Sequence, residues 1–399
     1  MDFQTVLFES GKWRTKPVKP HFHTVVPRSH AGGSLPENED YLTKQILTCI
    51  GNKRSLLQFI TKGINIVRKK LGKDKLDIFD VFSGSGVVAR FFKQYADNLF
   101  VNDLEKYSTM TNECYLANTS DINIAELQNV YQCLISTINT NPLQEGFITE
   151  LYSPKDDDHI QAGERVFYTR RNAMYIDTMR QLLDSVDFPL QKFFLAPLLS
   201  EASVHSNTSG TFKGFHKNKA TGIGQFGGSN SDALLRIKGE IHLPFPVFSR
   251  FHCHSVIYNG DSNEVIKTAP EADLAYLDPP YNQHPYGSNY FMLNLILVNK
   301  RPTALSKVSG IAEGWNRSVY NKKQFAAQAL KELAENIKAK FVLISFNSEG
   351  FITLDVMKSM LQKIGKVEVL ETNYNTFRGC RNLEKRDVYV REYLYLLEK

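Results

Sequence analysis

The apolar run Leu76-Asp77-Ile78-Phe79-Asp80-Val81-Phe82 passes directly into Ser83-Gly84-Ser85-Gly86 and then into Val87-Val88-Ala89-Arg90-Phe91-Phe92. By periodicity this is a buried strand, a turn of small residues and the start of a helix. Asn98-Leu99-Phe100-Val101-Asn102-Asp103 follows as a second strand that ends on an acid. Strand, glycine turn, helix, strand and acid open a doubly wound α/β sheet, in which ligands lie at the carboxyl ends of the strands. The chain is therefore expected to be α/β.

The turn departs from the dinucleotide fingerprint G-x-G-x-x-G. Its glycines let the backbone approach a ligand, no basic residue lies inside it, and Asp80 leads into it. A pyrophosphate is a poor guest for that charge, whereas a ligand with a cationic end fits. S-adenosylmethionine has such an end in the ammonium group of its amino acid moiety. Asp103 is placed where an acid can accept hydrogen bonds from both hydroxyls of a ribose.

Upstream, a helical pattern runs from Tyr41 to Lys70, with Leu56, Leu57, Ile60, Ile64 and Ile66 or Val67 near helical spacing. After the second strand the alternation lapses. Amphipathic helices are expected around 120–136 and 168–185, and a Gly/Ser/Asn/Lys-rich region spans Asn207 to Asp232. Strand signals return at Ser255-Val256-Ile257-Tyr258 and at 273–277. A helix is expected at 322–339, a strand at Phe341–Phe346, a helix near 353–364, and strands near 366–371 and 387–397. The economical division is a basic arm at 1–40, an α/β catalytic domain at 41–105 and 251–399, and a mainly helical inserted domain at 106–250.

The strand at 273–277 ends on Asp278-Pro279-Pro280-Tyr281. An acid, two prolines and an aromatic leaving a buried strand make a rigid polar notch beside a flat ring. That notch suits a planar base with an exocyclic amino group. The Asp278 carboxylate can accept one N–H and the Pro279 carbonyl the other, while Tyr281 can stack on the base, a contact of roughly 1–3 kcal/mol. Accepting both protons pushes the nitrogen towards tetrahedral geometry and frees a lone pair otherwise delocalised into the ring. The same acceptors stabilise the charge that develops on it, with no metal and no covalent intermediate required.

With 48 Lys+Arg against 42 Asp+Glu, the net charge of +6 is compatible with a nucleic-acid partner but does not establish one. Lys12, Arg14, Lys16, Lys19 and Arg28 make the arm basic, suited either to solvent or to phosphates. The five cysteines contain no C-x-x-C pair and are read as reduced thiols. In His252-Cys253-His254, strand alternation sends the thiol to the opposite face from the imidazoles, which argues against a metal site. The start lacks a signal-peptide pattern, and no apolar stretch reaches the ~18 residues of a membrane span. A cytoplasmic protein is expected.

Asp80-Val81-Phe82-Ser83-Gly84-Ser85-Gly86 together with Asp278-Pro279-Pro280-Tyr281 resembles the adenine-N6 DNA methyltransferases of the D12 class, the alpha arrangement that includes Dam-like enzymes. Ile50-Gly51-Asn52-Lys53-Arg54-Ser55-Leu56-Leu57 is similar to the cofactor motif that precedes the glycine loop in that family. Tyr258-Asn259-Gly260-Asp261 resembles the segment whose acid approaches the cofactor adenine. The aromatic usual after that acid is Ser262 here, so a stacking partner for that adenine is missing from the pattern. Ser345-Phe346-Asn347 and Glu392-Tyr393-Leu394-Tyr395-Leu396 are similar to the later strand-end motif and the closing strand. The stretches Asn282–Tyr290 and Asn207–Phe215 are most like members paired with restriction enzymes.

The resemblance implies a Rossmann-like class I methyltransferase sheet with an inserted target-recognition domain, acting on a flipped adenine in bacterial double-stranded DNA. It implies S-adenosylmethionine bound by Gly51, Asn52, Lys53, Asp80, Phe82, Ser83, Gly84, Ser85, Gly86, Asp103, Asp261 and Asp278, and catalysis at Asp278, Pro279, Pro280 and Tyr281. Candidates to touch DNA or line the target pocket are Lys213, Lys217, Lys219, Tyr286, Tyr290, Phe377 and Arg378. A monomer or weak dimer is expected, alongside a cognate restriction endonuclease without a stable complex. Two alternatives remain at this point: methylation of RNA adenine or protein glutamine, whose planar amino or amide groups suit the same notch, and a non-catalytic DNA-binding subunit.

Overall fold

The computed structural model describes residues 7–9, 12–14, 36–228, 233–375 and 389–399. Seven strands form one sheet: β1 Leu76–Asp80, β2 Ala96–Asp103, β3 His254–Asn259, β4 Ala272–Leu277, β5 Ala339–Asn347, β6 Lys366–Asn375 and β7 Tyr389–Glu398. Their order is β3-β2-β1-β4-β5-β7-β6. The first five are parallel, and β7 lies antiparallel to both β5 and β6. In such a sheet the chain reverses its direction of build between β1 and β4, and a crevice opens at their carboxyl ends. The glycine turn leaves β1 and Asp278 leaves β4, so the topology alone puts both motifs at that crevice.

The buried strands read as near-continuous apolar runs, as a sheet covered on both faces requires. Every residue of β4 is buried. One face packs under the helix Leu57–Leu71, with Ile60, Ile64 and Val67 against Leu343 and Leu396. The other packs under Lys323–Asn336, with Leu330 and Leu333 against Val342 and Ile344.

The helix expected from Tyr41 to Lys70 is two helices, Glu39–Thr43 and Leu57–Leu71, with a 3-10 turn at Arg54–Leu56. The break has a cause. Gln45 adopts φ 54°, and the carbonyls of Tyr41, Lys44 and Gln45 accept from the buried Arg90 guanidinium at 3.1, 3.0 and 2.6 Å. Arg90 in turn lies 3.5 Å over the Tyr115 ring. A cation on the helix after the glycine turn thus fastens the stretch that leads to Gly51.

Among the described residues, sequence periodicity missed the helices Lys106–Tyr115, Phe188–Val204 and Phe291–Val298. The last two are apolar nearly all round, so they carry no one-sided stripe for periodicity to detect. The described residues of 106–250 do not bury a core of their own. Leu127, Ile148, Phe167, Phe194 and Ile241 share one cluster with Tyr41, Leu47, Tyr290, Phe291 and Ile296.

Candidate active site

The crevice is a cleft of about 900 Å³ including its open mouth. Its lining includes Gly51, Asn52 and Lys53, Phe82–Ser85 of the glycine turn, Asp103 and Asp261, and Asp278, Pro280 and Tyr286, but not Pro279 or Tyr281. Asp278 and the glycine turn therefore open into one cavity.

The turn is built for close approach. Gly84 and Gly86 have φ 55° and 77°, a region that residues with a Cβ rarely enter. The Gly84 N–H donates to Asp103 Oδ2 at 2.7 Å, and the Glu105 N–H donates to Asp103 Oδ1 at 2.8 Å. A Cβ on Gly86 would meet Asn112 Oδ1 at 2.9 Å. That amide is committed, donating to Ser83 Oγ at 2.9 Å and to the Ser108 carbonyl at 3.0 Å. Gly86→Ala is therefore expected to lower stability by about 1–2 kcal/mol and to weaken cofactor binding. Denaturant unfolding and calorimetry with S-adenosylhomocysteine check this, and wild-type values for both would refute it.

Asp80 and Gly86 do not line the cleft. Asp80 is fully buried behind the turn, and neither carboxylate oxygen closes a hydrogen bond among the described residues. Burial, then the charges of Asp278 and Asp103, push its pKa well above the carboxylate range, only partly offset by the nearby Ser83 hydroxyl and Phe82 amide. A buried acid without a partner fits an absent cation better than an absent anion. The residues present thus suit the cationic end of S-adenosylmethionine.

Lys53 Nζ lies 3.2 Å from Asp278 Oδ1 and 2.6 Å from Glu392 Oε1. Burial pushes the Asp278 carboxyl up to about 6, with Lys53 acting to lower it and Glu392 to raise it. Burial alone would lower the pKa of Lys53, but Asp278 and Glu392 hold it well above the ordinary value. Lys53 therefore faces Asp278 as well as the cleft. Pro279 is buried, and Tyr281 is half-buried, edge-on to Phe346 at 6.1 Å. A Cβ on Gly51 would come within 3.3 Å of the Tyr286 hydroxyl and 3.8 Å of that of Tyr281.

The target-pocket candidates separate. Tyr286 lines the cleft and donates to the Ile50 carbonyl at 3.1 Å. Tyr290 is a correction: it is completely buried, accepting from the Ile50 N–H at 2.7 Å and donating to the Gly210 carbonyl at 3.2 Å. Its ring is core, and the bulk of the surrounding cluster leaves no face for a base. Lys213, Lys217 and Lys219 are exposed on a loop tied down by Asn207, whose amide donates to the Val166 and Gln225 carbonyls. Phe377 and Arg378 lie outside the described residues, as does most of the arm.

Sequence reasoning missed Glu105, Asn316, Ser318 and Asn321, which also line the cleft. Glu105 is pushed up to about 7 by burial and Asp103, and accepts from the Asn294 amide at 2.7 Å. Its place two residues after Asp103 was the available signal. Asn316 reaches the cleft from a loop and Asn321 from the 3-10 turn Val319–Asn321, neither within a motif. His252 contacts Thr119 and Ser120, His254 contacts Asn98, and Cys253 is buried between them. Among the described residues no helix is long and apolar enough to cross a membrane.

A mostly parallel sheet with a cleft across its strand ends, lined by Asp103, Glu105, Asp261 and Asp278, defines an α/β protein with a ligand site at its topological switch point. The family model of D12 class N6 adenine-specific DNA methyltransferases matches residues 50–360, and the chain belongs to that family. The family uses S-adenosylmethionine and implies the class I methyltransferase fold. The chain is 28% identical over 361 residues to type II methyltransferase M.NlaIII of Neisseria lactamica, covering 88% of this chain and 98% of that protein. It is 30% identical over 358 residues to type II methyltransferase M.CviAII of Paramecium bursaria Chlorella virus 1, covering 87% and 97%. Type II methyltransferase M.FokI of Planomicrobium okeanokoites is 26% identical over 364 residues, which are 88% of this chain and 52% of the longer relative.

Proposed function

We propose that this adenine-N6 DNA methyltransferase is the modification enzyme of a restriction-modification system, methylating a flipped adenine within a specific duplex sequence. The observation that carries the chemistry is the single cleft shared by Asp278 and the glycine turn. The relatives' shared name, type II methyltransferase, supports the biological setting.

S-adenosylmethionine supplies a methyl group on a sulfonium. The chain's own residues do the rest. Asp80 would compensate the ligand's positive charge from behind the turn, the Gly84–Ser85 backbone would admit it closely, Asp103 would accept from its ribose hydroxyls, and Asp261 would approach its adenine. The Asp278 carboxylate and the Pro279 carbonyl accept the two N–H groups of the target amine. Held so, the nitrogen lone pair points into the cleft, and orientation supplies much of the acceleration. Tyr281, with Tyr286 beside it, contacts the face of the base.

We assign residues 41–105 and 251–399 to the catalytic domain and 106–250 to target recognition. The order β3-β2-β1-β4-β5 with an antiparallel β7 supports a Rossmann-like sheet. The exposed Lys213, Lys217 and Lys219 would contact phosphates, positioning the duplex without reading sequence.

Single-molecule sequencing of DNA from a host expressing the protein tests this reading. N6-methyladenine at one defined motif is expected on nearly every copy. Modification scattered without a motif, or none, would overturn it.

A further inference from the structure

We propose that Glu392, on the last strand, is a positioning residue for the methyl-transfer acid: it holds Lys53 back from Asp278 so that the carboxylate stays free to grip the target amine. The inference rests on the catalytic reading of Asp278.

Three charged side chains from distant parts of the chain meet here, two acids around one ammonium. Lys53 and Glu392 are 6% and 2% exposed, so neither charge is hydrated away. Lys53 is shared unequally, 2.6 Å from Glu392 and 3.2 Å from Asp278. Glu392 Oε1 also accepts from the Ser345 hydroxyl at 3.0 Å, which fixes it on the β5 side of the pair. Buried ion pairs of this kind seldom add stability over an apolar packing, so the arrangement calls for another purpose.

Its purpose follows from competition. Were Lys53 wholly committed to Asp278, the carboxylate would be neutralised and a weak acceptor for an amine N–H. Were Lys53 absent, desolvation would protonate the acid. Glu392 divides the ammonium, leaving Asp278 ionised at neutral pH yet basic. The other groups facing this acid are Asp80 at the end of β1, Tyr276 on β4, and Tyr281 and Tyr286 beyond it. The tyrosines are held neutral by burial, so Lys53 and Glu392 set the balance.

The test is the pH profile of kcat/KM on cognate duplex DNA. In the wild type the acid limb is expected near pH 6, where Asp278 ionises. Glu392→Gln keeps the shape but removes the competing charge, and the limb should move down by about one pH unit, with lower kcat at pH 8 and unchanged affinity for S-adenosylhomocysteine. Ser345→Ala, a milder change that keeps the fold, removes a donor from Glu392. Glu392 then competes harder, and the limb should move up. A limb that stays in place in the folded variants overturns the proposal. Should Glu392→Gln fail to fold, Ser345→Ala alone decides it. An active Asp278→Ala variant would instead defeat the catalytic reading itself, so the two failures are distinguishable.

Discussion

Asp278→Ala should bind S-adenosylmethionine and DNA yet form no N6-methyladenine, with kcat reduced at least about 10³-fold. One acceptor aimed at charge developing in a transition state is commonly worth 10²–10³ in rate, and here the same group also orients the nucleophile. Folding should survive, because Lys53 retains its shorter contact to Glu392 at 2.6 Å. The buried cluster then passes from two acids around one base to a balanced pair. Labelled methyl transfer, with calorimetry for each ligand, separates loss of chemistry from loss of binding. Full activity would mean that the amine is gripped elsewhere.

Asp80→Asn should change stability and affinity in opposite directions. The folded pKa of Asp80 lies above its ordinary value of 3.8. The folded protein therefore holds this proton more tightly than the unfolded chain. Stability from that group is complete below pH 3.8 and is lost as pH rises through the folded value. Asparagine removes the cost of the buried charge, a gain of about 1–3 kcal/mol at neutral pH, and the advantage over wild type should grow as pH rises from 4. The cofactor should then bind about 10- to 100-fold more weakly, as expected for the loss of a charge-assisted contact. Thermal melts at pH 5 and pH 8, with and without S-adenosylhomocysteine, read both effects. A variant less stable than wild type, with unaltered affinity, would assign Asp80 to structure alone.

Both acids were visible in the sequence because local pattern and chemistry coincide there. An apolar strand ending on Asp, followed by glycines or prolines, is legible in a few consecutive residues. The parallel strands were located for the same reason. The break at Gln45 was not legible, since its cause is a guanidinium on another helix. Tyr290 misled because a tyrosine near a motif looks alike whether it faces a ligand or the core, and its burial is decided by residues scattered along the chain. Glu392 pairs with Lys53 across 339 positions, a contact that no reading of neighbouring residues supplies.

The shared cluster beneath residues 106–250 limits how this enzyme could be re-targeted. Phe291, Met292 and Ile296, just downstream of Asp278–Tyr281, interlock with Phe167, Phe212 and neighbouring side chains of that region. A transplant of 106–250 from a sister enzyme would inherit only half of a jigsaw. If 106–250 reads the target, new sequence preference would have to travel with the helix at 291–298, and evolution of the reading head and of the chemical step would be mechanically yoked.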